Sequence, residues 1–599
     1  MVKFVSKMAE YEESSEESEM SDFELLEDLN NFDLVNLDEN DRRRLERQWN
    51  ALVGDSDDDE EDFEGFEPEE FYTPHDFVWT NLENQRDLFQ FSDRVRPTLV
   101  LDGSMKASEY FQIFYSDEVF GNIVHLTNLK VTIKRGRGDK GVWTDLTLDE
   151  IKAFYGILII MDTMKFERDE FYWTESDTHW LLGSKIGQVM SRDRFFQIRR
   201  YLHFSDDRRV SNDKLQKVRY LLDHLRRAFQ SEYVPHKQVT VDEAMVPFKG
   251  RLSLKQFMKD KPVKFGIKIW VMADAVSSYC YNFDVYVGKN ANIVNGNLGL
   301  SSKVVIALAK PIEMKGYEIY TNNFFTSPHL ADYLYQRKTY LCGTVRTNRK
   351  DYPKALVQSK AAARRMCRGT SDWLMSGPLL ASYWKDKRIV YYLSSCHRPV
   401  GDQTTVRRNK DGTNTPLPCT PTVTDYAKYM GGVDRLDQRT RLSKEKKNMQ
   451  WYRRIEIKLR ECALYNAFVL EGTVVDHNPP GKRARDFLSF RMDVAHELIR
   501  NIQQGTRTFK RPRQLNIDEE RLDEKAHWPV PSGSADRLCE VCNKKHKNYK
   551  ASHPGVSMTD NPFKRSKSSL MCGKCKVPLC ITTKSTCFVD FHTKVYYWQ

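Results

Sequence analysis

Two Cys-x2-Cys pairs near the C-terminus dictate what that end of the chain can become. Cys539 and Cys542 form the first pair, Cys572 and Cys575 the second, and Cys580, Cys587 and His592 follow closely. Each pair makes a tight turn that grips one tetrahedral ion, so metal rather than a large apolar core can close a fold of this size. Six of the 12 cysteines lie after residue 538 and the rest are scattered. An intracellular chain keeps such scattered thiols reduced, and disulfides account poorly for this spacing. Seven soft ligands call for an eighth to complete two four-coordinate Zn²⁺ sites, interleaved along the chain in a cross-brace. His546 and His553 are the candidates. Residues 537–599 are therefore expected to form a zinc-binding domain with two structural ions.

Charge is as uneven as cysteine. The formal net charge is +10, yet residues 1–70 hold 26 Asp and Glu against 6 Lys and Arg, which leaves +30 on the remainder. A basic body favours a polyanionic partner, nucleic acid above all. Residues 1–75 (EESSEESEMSD, GDSDDDEEDFEG) read as an acidic disordered tail, free to bind other proteins or to compete for the basic surface. Ser14, Ser15 and Ser56 precede acidic residues and suit an acid-directed kinase. No signal peptide is expected. The longest apolar run, Phe154 to Met161, is far below the ~18 residues of a membrane span. The expectation is a soluble, intracellular protein with no membrane partner.

With 599 residues the chain has room for roughly three to five domains. From about 100 to 235 the pattern is helical: LTLDEIKAFYGILIIMDTM with Thr147 as N-cap, DRFFQIRRYLHF, and KVRYLLDHLRRAFQSEY. Strand patterns then follow in KQVTVDEA, KFGIKIWVMAD, YNFDVYVG, YEIYTNN and YLCGTVRT. The helix SSKVVIALAKP lies between the third and fourth of these, which suggests a mixed α/β layer. A polar stretch with short strand signals (KRIVYYLSS) spans roughly 349–420. Helical pattern returns to about 475, and a Pro-, Arg- and Gly-containing linker follows.

Three stretches carry candidate chemistry. In DEAMVPFKGR, Asp242 sits where an apolar strand meets a basic loop, and strand alternation sends Asp242 and Glu243 to opposite faces. In YMGGVDRLDQRTR, Asp434 and Asp437 are three apart, one face of a helix, suited either to solvent or to a hard cation. In GYEIYTNNFFTSPH a strand ends on Asn322-Asn323, where a metal or acid/base site would want a carboxylate.

Together these stretches resemble the piggyBac transposase family. The resemblance extends to GTVRTNRK, MSRDRFFQIRRYLHF, KVRYLLDHL, FGIKIW, WKDKRIVYYLSS and the C-terminal cysteine spacing, from about residue 100 to the end. It implies a multidomain α/β protein: a ribonuclease H-like catalytic core with an inserted β-rich domain, a flanking helical DNA-binding and dimerisation domain, and the cross-brace zinc domain. The corresponding division is 76–236 helical, 237–348 core, 349–420 insertion, 421–445 the final core helix, 446–500 helical again, 501–536 basic linker and 537–599 zinc. The implied activity is cut-and-paste DNA transposition at TTAA targets, with carboxylates holding two Mg²⁺ ions, one activating the attacking oxygen and one the leaving oxygen. Asp242, Asp434 and Asp437 match acids of the family and would ligate Mg²⁺. The remaining Asp, that of YxDNFFTS, is here Asn322, a degenerate position. Asn322 still offers a carbonyl oxygen but no charge. Glu318, four residues back on the same strand face and about 13 Å away, is too far to replace it.

The resemblance also makes Trp384 a candidate to stack on a distorted base, the alternative being a core aromatic under a small sheet. Lys249, Arg251, Arg439 and Arg441 are candidate DNA contacts. Lys544, Lys545, Lys547 and Lys550 would meet phosphates in a module that reads terminal inverted repeats. The loop between the Cys pairs is longer than the family's. KRAR (482–485) and KRPR (510–513) suit nuclear import.

Three functions compete. The first is a domesticated, transposase-derived DNA-binding protein, nuclear and homodimeric, with reduced or lost strand transfer. The second is an active transposase that tolerates Asn322. The third is a chromatin or protein-interaction adaptor whose zinc domain binds protein.

Overall fold

A computed structural model describes residues 72–598, apart from 85–86, 137–142, 174–185, 210, 259–262, 289–297, 409–411, 441–449, 478–483, 505–520, 523–526, 533–536, 554–556, 558–559 and 595. The acidic tail up to residue 71 with Ser14, Ser15 and Ser56, the KRPR cluster, Arg441 and the basic run after it lie outside the described residues. Two compact units emerge: one from the described residues up to Phe171 together with Arg192–Ile499, the other from Tyr172–Ser191 and the described residues of Arg500–Gln599.

The first unit is built on a nine-stranded sheet. Its strands are β1 (Gln238–Pro247), β2 (Lys255–Phe257), β3 (Phe265–Asp274), β4 (Cys280–Val285), β5 (Glu318–Thr321), β6 (Tyr340–Thr344), β7 (Ser371–Ser376), β8 (Leu379–Lys385) and β9 (Ile389–Ser394). β3 runs antiparallel to β1, and β2 and β4 share its outer edge. On the other side of β1 come β5 and β6, both parallel to it. All five strand patterns expected between 237 and 345 are present. β1, β3 and β4 are buried nearly throughout, so they read as continuous apolar runs and not as alternation.

Beyond β6 the sheet continues. β9, β8 and β7 add antiparallel, in that order, and KRIVYYLSS supplies β9. The strands of 371–394, within the stretch expected as an inserted β-rich domain, thus extend the central sheet. Of the strands between 371 and 419, the hairpin β10 (Gln403–Arg408) with β11 (Asn414–Cys419) stands apart.

Helices cover this sheet. The early ones are α1 (Ala107–Gln112), α2 (Asp117–Gly136), α3 (Leu148–Thr163), α4 (Arg192–Tyr201) and α5 (Arg219–Ser231). Thr147 caps α3 by accepting from the Glu150 N–H, and Glu150 returns the bond to the Thr147 N–H, a reciprocal cap of about 1 kcal/mol. Next come α6 (Leu300–Ala309), α7 (Pro328–Gln336), α8 (Pro421–Tyr429), α9 (Gly432–Arg439), α10 (Trp451–Glu471) and α11 (Phe487–Gln504). α10 packs on α1, α5 and β1, so the two helical segments of the chain meet around it. Buried charges reinforce that meeting: Arg460 is 1% exposed and donates to Asp162 at 2.9 Å and to Glu456, and Arg491 pairs with Glu461.

Residues 72–93 were expected to divide between tail and helical domain. Their described residues form an extended strap on the sheet unit. The Tyr72 hydroxyl donates to Asp332 at 2.8 Å, with His75 Nδ1 2.7 Å from the same carboxylate. Thr80 pairs with Met375 on the sheet edge, the Phe89 N–H donates to the Tyr340 hydroxyl, and Tyr317 donates to Asp93.

In the second unit, α12 (Glu540–Ser552) and α13 (Cys587–Thr593) pack around a small cysteine-lined core with Leu579 and Phe591. Among the described residues no helix is long and apolar enough to cross a membrane.

Candidate functional site

Strand register creates the first site. β1 and β5 are parallel, with Val241 level with Thr321, so Asp242 and Asn322 stand side by side at the next position. Thr240 lies two residues before Asp242 and therefore on its face. The Thr240 hydroxyl donates to the Tyr429 carbonyl at 2.9 Å, fixing the end of α8. Gly432 then starts α9 directly against this strand: a Cβ there would come within 2.7 Å of Thr240 Oγ1 and 3.2 Å of the Ala275 Cα. Arg435 of α9 reaches the Ala275 carbonyl and the Ser278 hydroxyl, tying the helix to the β3–β4 turn. The Gly-Gly pair of the sequence is what lets the Asp434 helix lie on β1 and β3.

Asp242 is 5% exposed, and its Oδ1 accepts from the Glu243 N–H at 2.8 Å. The same oxygen accepts from Asn322 Nδ2 at 2.9 Å. Asn322 Oδ1 in turn accepts from the Phe324 N–H at 2.9 Å. A backbone N–H can only donate, so this bond fixes the amide's orientation and turns its NH₂ group toward Asp242. In this structure the Asn322 side-chain oxygen faces the backbone and a donor faces the carboxylate. The turn is held tightly. Thr326 donates to the Asn322 carbonyl at 2.8 Å, Ser327 caps α7, and Gly343 of β6 leaves no room for a Cβ, which would meet Thr326 Oγ1 at 2.2 Å.

Asp434 is exposed on α9. The Tyr426 phenol, 3.2 Å from the Thr344 hydroxyl, is pushed up to about 12, chiefly by burial, with the Asp242 and Asp434 charges contributing. Tyr426 thus senses both carboxylates. Asp437 has another partner: Lys458 Nζ of α10 donates to its Oδ1 at 2.6 Å. Glu318 sits at the far end of β5, bound to Lys237 and Gln238. A pair of Mg²⁺ ions fits these groups poorly, because a donor, not an acceptor, stands beside Asp242 and an ammonium beside Asp437.

Trp384 is 2% exposed, packs with Tyr392, Leu417, Cys419 and Val423, and donates from Nε1 to the Pro418 carbonyl at 2.9 Å. It is the core aromatic beneath the β10–β11 hairpin, which corrects its reading as a base-stacking side chain. Lys249, Arg251 and Arg439 are exposed. Arg485, the last residue of KRAR, pairs with Glu471 and Asp493.

The C-terminal unit holds two ligand clusters, each with its ligand atoms within 4.8 Å of one another. The first is Cys539, Cys542, Cys580 and Cys587; the second is His527, Cys572, Cys575 and His592. Sulfurs of Cys542 and Cys580 are 3.9 Å apart, those of Cys542 and Cys587 3.5 Å, against about 3.8 Å across a tetrahedron of 2.3 Å Zn–S bonds. His527 Nδ1 lies 3.4 Å from the sulfurs of both Cys572 and Cys575. His592 Nδ1 donates to the Phe588 carbonyl at 2.7 Å, which aims Nε2 at the cluster, 3.6 Å from the Cys575 sulfur. The donor sets suit a soft divalent ion and alternate along the chain, as the interleaved expectation required.

The candidate for the eighth ligand is corrected to His527, which completes the second cluster where His546 and His553 belong to neither. His546 Nδ1 donates to the Phe563 carbonyl, and His553 is exposed and stacked on Tyr549. His527 precedes the first cysteine, in a stretch expected to be linker. That stretch also supplies Arg521, 1% exposed, whose guanidinium donates to the Phe591 and Lys594 carbonyls.

A mixed sheet with Asp242 on its central strand, a glycine-started acidic helix beside it and a paired Cys/His module together define a transposase-type protein. A family model described as Transposase IS4 matches residues 106–468. The chain belongs to the piggyBac transposase family. It is 29% identical over 500 residues to human PiggyBac transposable element-derived protein 3, covering 81% of this chain and 76% of the relative. To human PiggyBac transposable element-derived protein 2 it is 28% identical over 446 residues, covering 72% of each. Among solved structures it matches a piggyBac transposase in a cryo-EM synaptic complex with hairpin DNA, with a TM-score of 0.59 and 26% identity, covering 82% of this chain and 98% of that one.

Proposed function

We propose that this chain is a piggyBac-derived DNA-binding protein whose strand-transfer site is impaired at position 322. One observation carries the reading: the Asn322 amide, locked by the Phe324 N–H, donates to the carboxylate that would ligate metal. The strand order β4–β3–β1–β5–β6, with β1, β5 and β6 parallel, supports reading this sheet as a ribonuclease H-like core. In that fold metal-bound oxygens would meet at the Asp242–Asn322 pair, so a donor placed there opposes the chemistry. When bound, two Mg²⁺ would activate and orient the oxygens of strand transfer. With the oxygen of this neutral amide turned away, Asp242 and Asp434 are left to compensate the charge.

DNA binding stands apart from this lesion. The structural neighbour's synaptic complex with hairpin DNA and the basic body of the chain support double-stranded DNA as the partner, terminal inverted repeats or their genomic descendants. The two C-terminal clusters would hold structural Zn²⁺, and the exposed face of α12 would bring Lys547 and Lys550 to phosphates. The helical segments gathered around α10 would form the homodimer, and the nucleus is the compartment such a partner implies.

Donor-plasmid excision with Mg²⁺ tests the reading. The expected outcome is no excision by the chain as it stands, alongside salt-sensitive binding of terminal-repeat DNA. Robust excision, unimproved by Asn322→Asp, would make the chain an active transposase instead.

A further inference from the structure

Beside the site lies a cation that strand transfer has no use for. Lys458 belongs to α10 and is 6% exposed. Its Nζ donates to Asp437 Oδ1 at 2.6 Å and to Thr440 Oγ1 at 2.7 Å. Thr440, 1% exposed, caps α9 and gives its only hydroxyl proton to the Leu436 carbonyl at 2.8 Å, so toward Lys458 it can only accept. Asp437 and Thr440 close the last turn of the helix that begins at Gly432 and carries Asp434.

We infer that Lys458 is the resident counter-ion of Asp437, withdrawing this carboxylate from any divalent-metal site and pinning the end of the Asp434 helix to α10. The inference rests on the reading of the site as an impaired two-metal centre and deepens it. Position 322 is then one lesion of two. A divalent ion at Asp437 would have to sit against the ammonium already 2.6 Å from that carboxylate, and like charges so placed repel. Restoring the carboxylate at 322 alone leaves the ligand set short. Lys458 is a positioning residue here, since it acts on the site through Asp437.

Mn²⁺ titration of the full chain, read by electron paramagnetic resonance, tests this without relying on activity. Three proteins are compared: Asn322→Asp, Asn322→Asp with Lys458→Met, and Asn322→Asp with Lys458→Gln. The glutamine keeps a donor for Thr440 should the methionine disturb folding, and melting curves check both. Removal of the ammonium is expected to tighten Mn²⁺ at least tenfold, and adding Asp437→Asn is expected to abolish the gain. Equal Mn²⁺ affinity with and without Lys458, including no binding in either case, overturns the inference. So does a gain that survives Asp437→Asn. Failure of the underlying site reading would show separately, as excision by the unaltered chain.

Discussion

At position 322 an amide and a carboxylate differ by little in shape, yet they act on Asp242 in opposite senses. The amide donates to Asp242 at 2.9 Å and stabilises it as an anion; a second carboxylate at that distance would repel it. Asn322→Asp is accordingly expected to lower stability by about 1–3 kcal/mol near neutral pH. The variant's paired carboxylates would have a folded-state pKa raised above the unfolded value. Their cost is therefore largest above that pKa and fades as pH falls and one proton comes to be shared. Melting curves of both proteins at pH 7.5 and pH 5 check this; a difference that grows on acidification would contradict it. Much at this scale was legible from sequence. The family resemblance implied that Asp242 and Asn322 share one site, and the parallel register of β1 and β5 is what sets them side by side. The direction of the amide was not legible, because it is set by the backbone N–H of Phe324 in the following turn. Lys458 left a fainter signal: a lone lysine among Ile455, Leu459 and Cys462, all buried on one helix, needs an acidic partner, but sequence does not say which.

Helix α9 shows how an element can be placed by the absence of a side chain. Gly432→Ala would drive a Cβ to 2.7 Å from Thr240 Oγ1, so either the helix lifts or β1 gives way. Overpacking of this kind costs roughly 1–3 kcal/mol. Gly121→Ala in α2, where nothing lies within 4 Å, is the fitting control and should be neutral or mildly stabilising, as helix propensity dictates. Urea unfolding compares the two, and equal midpoints would show that α9 is not held against the strand. Strands β7–β9 illustrate the opposite limit. Only β9 was readable, from KRIVYYLSS, and its attachment was not. Whether they close on themselves or add to β6 depends on a free sheet edge that no local pattern encodes. For Trp384, likewise, strand alternation alone could not choose between core and surface; the β10–β11 hairpin that covers it decides.

At the scale of the whole molecule, the two units rest on different stabilising forces. The sheet unit has a large apolar core; the C-terminal unit has two ligand clusters around a few apolar residues. His527→Ala is expected to reduce bound zinc from two equivalents per chain to one, whereas His546→Ala and His553→Ala should keep both. Elemental analysis of the purified full-length variants decides, and two equivalents retained without His527 would return the eighth ligand to another residue. Sequence placed seven of the eight ligands because cysteine spacing is a local code. It missed His527 because a single histidine amid Pro, Arg and Gly has no periodicity to announce it.

The strap of residues 72–93 has a consequence for how the chain is made. Its docking sites are Asp332, Tyr340 and finally Met375. Thr80 leaves the ribosome roughly 300 residues before Met375, which at ~5–20 residues per second is a wait of roughly 15–60 s. Within that interval Phe91 waits for Tyr317, Phe77 for His329, Phe89 for Tyr335 and Tyr340, and Trp79 for the Asp351 carbonyl. The first described part of this protein to be synthesised is therefore among the last to find its place, and until it does, four aromatic rings depend on water or a chaperone.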